Sequence, residues 1–405
     1  MLPLCSAALL VTIAGCAPAA DQQQSKELAQ LETSAKEIAP RVERAVGLKF
    51  KRPPRVALRS KEQVRKYIGA KLDSDYPPAE LAQVTAAYRL FRMIPDSLDM
   101  RALFLDLYAE QVVGFFDQDS STLYVVEQSD PTQVRLILLH ELVHALQDQH
   151  VPLDSILSSR GNLDRRNAAQ AVMEGQAMLA SLVAMMPEQD VLNRPELMEV
   201  ARQQARDAQD RMPVFKSAPL YIREGLVFPY LDGMEFMRVF ALNNRDTVPF
   251  GPRLPESTEQ ILHPDRYRAG DRPVELQFSS ALKPSYQDNL GELETRLLLQ
   301  TLSGSEAVGA AGAAGWAGDR YGVFAAGGGS RALVWWTVWD TEAAAKRFLN
   351  LFTREWPKGA KAGRKFTIEA LKVGSRPAVR LVDAPPAWAG WKAIPAVKAE
   401  TPPRK

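Results

Sequence analysis

The stretch Leu138-Leu139-His140-Glu141-Leu142-Val143-His144-Ala145-Leu146-Gln147-Asp148-Gln149-His150 constrains this chain more than any other. It gathers three of the four histidines found in 405 residues. Positions four apart on an α-helix lie one above the other, so His140 and His144 can present two imidazole nitrogens to one divalent ion, with zinc the natural choice for nitrogen ligands in this spacing. Glu141 stands one position off that face. It is poorly placed as a third ligand but well placed to take a proton from a water held at the ion. The flanks predict the helix itself. Asp130 is an N-cap residue, Pro131 fits the first helical position, and Val134, Ile137, Leu138, Leu142, Ala145 and Leu146 recur at helical spacing.

Two residues compete to be the third ligand. His150 has the spacing of the HExxHxxGxxH pattern, in which a glycine breaks the helix and lets the last histidine swing back to the metal. Here that position is Gln147, a good helix former, and a helix running on would carry His150 past the ion. Glu174, in Val172-Met173-Glu174-Gly175-Gln176-Ala177, lies midway along a second predicted helix from about 162 to 186. A carboxylate there can complete a His₂Glu site from an adjacent helix, and one buried among Ala, Val and Met needs a charge partner. Gly175 and Ala177 are expected to let the two helices approach closely. The helix-breaking argument favours Glu174.

Charge and cysteine usage narrow the setting. The 50 basic and 48 acidic residues nearly cancel and are interspersed, so no nucleic-acid partner is expected. Residues 1–15 form an apolar stretch ending Ile13-Ala14-Gly15 before Cys16, which resembles a bacterial lipoprotein signal with Cys16 as the lipidated residue. Only Cys5 and Cys16 occur, so disulfides are not expected to hold the fold. Residues 16–28 read as a polar tether to the cell-envelope membrane.

The pattern along the chain predicts an α+β protein. A mostly helical unit over 29–270 has a first helix from Ser25 to about Val46, a strand at Arg55–Arg59, helices near 60–72, 78–93 and 99–110, and a hairpin over 111–126 just before the histidine helix. A polar helix near 195–212 and an apolar one near 224–243 follow, the latter expected to kink at Pro229-Tyr230-Leu231-Asp232-Gly233. A smaller α+β unit is expected over 271–384, with Gly327-Gly328-Gly329 as a turn between strands. The Pro-, Ala- and Lys-rich stretch 385–405 is expected to be disordered.

With these motifs in hand, the chain resembles a group of exported bacterial gluzincin-like metallopeptidases. The shared blocks are His140 to His150, Glu174-Gly175-Gln176-Ala177, Ser257-Thr258-Glu259-Gln260-Ile261-Leu262-His263-Pro264, Gly315-Trp316-Ala317-Gly318-Asp319-Arg320-Tyr321 and Val338-Trp339-Asp340-Thr341-Glu342. They span roughly 110 to 350. The resemblance implies a zinc site of His140, His144 and Glu174 and hydrolysis of peptide bonds, with a peptide or protein as substrate. It implies no particular substrate. For the oxyanion, His263 is favoured over Tyr221 and Tyr230, and Asp148 is a candidate to orient an imidazole. Two rival expectations keep the metal and change the role: a catalytically inert zinc-binding envelope lipoprotein acting as a binding module, and a zinc amidase acting on cell-wall amides.

Overall fold

The structure is a computed structural model that describes residues 19–152, 161–244 and 247–400. The expected signal, Cys16 and the first residues of the tether lie outside the described residues. The fold is α+β. Helix α1 (Ala19–Val46) is followed by strand β1 (Arg55–Arg59), helices α2 (Lys61–Asp75), α3 (Pro78–Phe91) and α4 (Met100–Gln111), and strands β2 (Gly114–Asp117) and β3 (Thr122–Val126). These strands form one small sheet in the order β1-β3-β2, with β1 parallel and β2 antiparallel to β3. Residues 19–28, expected to belong to a tether, are instead part of α1, which is docked. Gln24 bonds Glu127 at 2.6 Å, and the Gln128 N–H donates to Glu27 at 2.8 Å.

The histidine motif falls on α5 (Pro131–Asp148), capped by Asp130, whose carboxylate accepts from the Thr132 and Gln133 N–H groups. Helix α6 (Leu163–Met185) carries Glu174. Leu31, Ile38 and Val42 of α1, Leu123 and Val125 of β3, Leu138, Leu142 and Leu146 of α5, and Ala177, Ala180 and Ala184 of α6 share one apolar core. Ala177 therefore faces α5 as expected. Gly175 does not: it packs on helix α8 (Leu220–Asn243), which follows α7 (Pro195–Gln209). A Cβ on Gly175 would lie 2.1 Å from the Gly233 carbonyl carbon, and one on Gly233 would lie 2.1 Å from the Ala171 carbonyl oxygen. Helix α8 is continuous through Pro229, and Gly233 is where it crosses α6.

Helix α9 (Thr258–Leu262), strands β4 (Leu276–Phe278) and β5 (Tyr286–Asp288), and helices α10 (Gly291–Ser303) and α11 (Glu306–Ala313) lead into β6 (Trp316–Ala325), β7 (Arg331–Trp339), α12 (Glu342–Glu355), β8 (Lys365–Val373) and β9 (Arg376–Ala384). The main sheet has the order β5-β6-β7-β9-β8 and is antiparallel throughout. Gly327-Gly328-Gly329 turns the chain between β6 and β7, all three residues with positive φ, as a turn there requires. Residue 271 marks no break in packing. Phe91 meets Trp335 edge-on at 5.2 Å, and the largest core contains Val172 and Met234 together with Leu297, Phe348 and Leu381. The expected disorder from Pro385 is corrected for residues 385–400. Strand β10 (Val397–Ala399) pairs with β4, and Trp388 is buried against the sheet, because its indole gains more from that apolar face than the segment loses in entropy.

The α6–α8 crossing leaves no room for a methyl group. Gly175→Ala is expected to destabilise the protein by about 1–3 kcal/mol through overpacking, read as a lower urea midpoint. Gly225→Ala on α8, where a Cβ meets nothing within 4 Å, serves as the control and is expected to be neutral or slightly stabilising.

Candidate metal centre

Helices α5 and α6 bring three ligand atoms to one point. His140 Nε2 lies 3.0 Å from Glu174 Oε2, His144 Nε2 lies 3.3 Å from the same oxygen, and the two Nε2 atoms are 3.1 Å apart. A tetrahedral zinc with bonds of about 2.0–2.1 Å places neighbouring ligand atoms about 3.4 Å apart. The donor set of two imidazoles and one carboxylate therefore fits zinc in chemistry and in size.

The charges respond to one another. Burial raises the Glu174 carboxyl, but His144 and His140 outweigh it and hold the group well below the usual carboxylate range. Burial pulls the His144 imidazole down, while Glu174 and Glu141 more than reverse this and push it up to about 9. An ion entering the site displaces that proton, since a ligating imidazole must be neutral.

Gln147 fixes the orientation of His144. It is completely buried, and its Nε2 donates to the Met173 carbonyl at 3.0 Å and to Gln176 Oε1 at 2.9 Å. A carbonyl can only accept, so the amide nitrogen must face Met173 and the amide oxygen must face His144 Nδ1, 2.8 Å away. In its neutral, ligating form His144 then keeps its proton on Nδ1 and leaves the Nε2 lone pair for an ion. Sequence reasoning read Gln147 only as a helix former. Its position three residues after His144, on the same helix face, was the available signal. Asp148, the expected orienting group, instead faces Ser121 at 3.4 Å and Arg52 at 3.8 Å.

Glu141 stays out of the ligand set. It is buried, and its Oε2 accepts the Phe116 N–H at 2.8 Å. Burial raises its carboxyl above the ordinary value, while His144, His140 and the Phe116 N–H oppose the shift. Phe116 belongs to β2, an edge strand. The Val126 N–H donates to the Val113 carbonyl, so ladder alternation turns the backbone groups of Gly114 and Phe116 toward the free edge.

Tyr230 of α8 completes the surroundings. Its ring stacks on His140 at 5.9 Å, and it is 37% exposed. The Glu174 charge, then burial, then Glu141 push its phenol well above 10, so it remains a proton donor. The other sequence candidates lie elsewhere. His150 bonds the Lys49 carbonyl at 2.7 Å, since α5 ends at Asp148 and the chain turns away rather than continuing as helix. Tyr221 is buried 2.6 Å from both the Tyr88 hydroxyl and Glu294 Oε1. His263, favoured from sequence for the oxyanion, caps α9 and pairs with Glu292 at 3.0 Å. Thr258, at the start of α9, bonds Asp164, which precedes Glu174 on α6 by about 15 Å of helix rise. The structure thus places Tyr230, and not His263, beside the histidines.

Glu259, Asp271 and Asp340 also converge, but Arg266 Nη1 bonds Asp271 and Asp340 at 2.6 Å each and lies 3.6 Å from Glu259. A guanidinium already balances that cluster.

A cleft of about 620 Å³ is lined by Tyr67, Tyr76, Tyr108, Phe115 and, from α6, Arg166 and Gln170, and it reaches Phe116, whose N–H bonds Glu141. Arg166, Gln170 and Glu174 are spaced four apart, so they share one stripe of α6.

Two comparisons with known proteins give likenesses. Residues 280–391 match the family model of a domain of unknown function, DUF8575, a stretch that holds none of the ligand residues. No curated protein sequence matches. A solved structure from Chloroflexus aurantiacus, described as a "putative hydrolase with a novel fold", is similar at a TM-score of 0.41 and 18% identity, over 61% of this chain and 90% of that one.

The geometry ranks three substitutions by competitive zinc titration of the purified protein. Glu174→Ala is expected to abolish tight binding, and Gln147→Leu to weaken it by about 10–100-fold. His150→Ala is expected to leave it unchanged.

Proposed function

We propose that this protein is a zinc-dependent peptidase of the His₂Glu type, with His140, His144 and Glu174 holding the metal. The observation that carries this reading is Glu141, a buried carboxylate beside the three ligand atoms yet outside their set. A purely structural zinc site gains nothing from such a group and usually closes all four coordination positions with protein ligands.

When bound, zinc supplies an acidified water and an electrophile for a carbonyl oxygen. The chain's own residues do the rest. Glu141, steadied by the Phe116 N–H, takes the proton from the attacking water and can pass it to the leaving amine. The Tyr230 hydroxyl donates to the oxyanion as the carbonyl becomes tetrahedral. The free edge of β2 offers the backbone groups of Gly114 to an extended peptide, which suits a substrate held by its main chain.

We also propose that the protein is anchored to the cell envelope through lipidated Cys16. No helix among the described residues is long and apolar enough to cross a membrane. Cys16→Ser is then expected to move the protein from the membrane fraction to the soluble fraction, and continued membrane association would refute the anchor.

The test of the activity is Glu141→Gln, assayed on an unbiased peptide pool. Zinc content and melting temperature are expected to change little, while hydrolysis falls by roughly two or more orders of magnitude. A wild-type protein that binds zinc and cuts no peptide would overturn the peptidase reading.

A further inference from the structure

The cleft that Phe116 and Gln170 line carries a cation that nothing in the reading above uses. Arg166 lies two helical turns before Glu174 on the same stripe of α6 and lines the cleft wall. Among the described residues no carboxylate lies within ion-pair distance of it; the Tyr76 ring lies 5.7 Å away, and Asp288 acts on it from farther off. Of the acidic side chains on the same wall, Asp75 is matched by Lys71 at 3.2 Å, and Glu80 is engaged elsewhere. No carboxylate is bonded to it, so its planar fork can still hold a carboxylate by two parallel bonds.

We infer that Arg166 is a substrate anchor that binds a carboxylate of the peptide, three or four residues from the bond that is cut. The spacing follows from the helix. Eight residues separate Arg166 from Glu174, which is about 12 Å of rise, and an extended peptide covers about 3.3 Å per residue. Gln170 lies between them on the α6 stripe, and Tyr108 and Phe116 also line the cleft. The carboxylate is either the peptide's C-terminus or an Asp or Glu side chain. Both present the same chemistry to Arg166.

This inference rests on the peptidase reading, and its test separates the two. Purified wild-type protein is given matched peptides that differ only in Asp or Glu against Asn or Gln at each position near the cut, each with a free or amidated C-terminus. A preference in kcat/KM of about tenfold or more for the carboxylate-bearing member is expected, carried mainly by KM. Arg166→Met is expected to bring that ratio close to one, and Arg166→Lys to retain part of it, with zinc content and melting temperature confirming that both variants are folded. A preference that persists in amidated peptides identifies a side chain, and one that needs the free terminus identifies the C-terminus; either supports the anchor. Cleavage without preference, or a preference that survives in Arg166→Met, overturns it and leaves the peptidase reading standing. Absence of all cleavage removes both.

Discussion

One carboxylate facing two imidazoles sets the geometry around which the N-terminal half is arranged. Glu174 is carried by a helix whose neighbouring side chains are Ala171, Val172, Met173 and Ala177, all buried. An isolated ionised carboxylate in such surroundings would cost several kcal/mol. His140 and His144 supply the compensating partners, and α5 and α6 must stay in register for those partners to meet it. Gln147 ties the same two helices from the other side, bonding His144 on its own helix and both Met173 and Gln176 on α6. The candidate metal ligands and the amide that orients one of them thus belong to a single buried polar seam between two otherwise apolar surfaces.

The remaining structure braces α6. The N-terminal end of α6 is held by Asp164, which accepts the Thr258 N–H at 2.9 Å and its hydroxyl, and against which Gly291 packs so closely that a Cβ there would overlap the carboxylate. Asp319 then accepts the N–H groups of Leu290 and Gly291 at 2.9 Å each and the indole N–H groups of Trp316 and Trp335. Burial raises both carboxyls, Asp164 to about 8 and Asp319 to about 6. The blocks around Ser257–Pro264 and Gly315–Tyr321 therefore act as struts. They reach the metal centre only through the placement of α6, which explains why His263 sits beside Glu292 and not beside the histidines.

The same arrangement divides rigid from accessible. The crossing of α6 and α8 at Gly175 and Gly233 is backbone against backbone, and it delivers Tyr230 to the face of His140. On the opposite side, β2 is a sheet edge with unpaired backbone groups, and one of its N–H groups is bonded to Glu141. Exposed edges invite pairing with another chain. Here the edge borders a cleft that Tyr108, one of the few large exposed aromatic side chains, also lines. Polar groups that a buried core would have to satisfy are left available at one place, and that place adjoins the ligand atoms.

Local chemistry made much of this legible in the sequence. Helix α5, its Asp130 cap, the shared face of His140 and His144 and the off-face position of Glu141 follow from a periodicity of 3.6 residues, and the hairpin and the α+β class follow from patterns equally short in range. Glu174 was legible by a different route, since a carboxylate in an apolar helix demands a partner wherever the chain finds one. Tertiary structure alone decided between partners of similar local signature: Tyr230 over His263 beside the imidazoles, Gln147 over Asp148 behind His144, Gly233 rather than α5 against Gly175, and Arg166 facing the cleft. Each of those choices depends on which faces of distant helices meet. That is fixed by burying the whole apolar surface at once, a sum over the chain that no single segment carries.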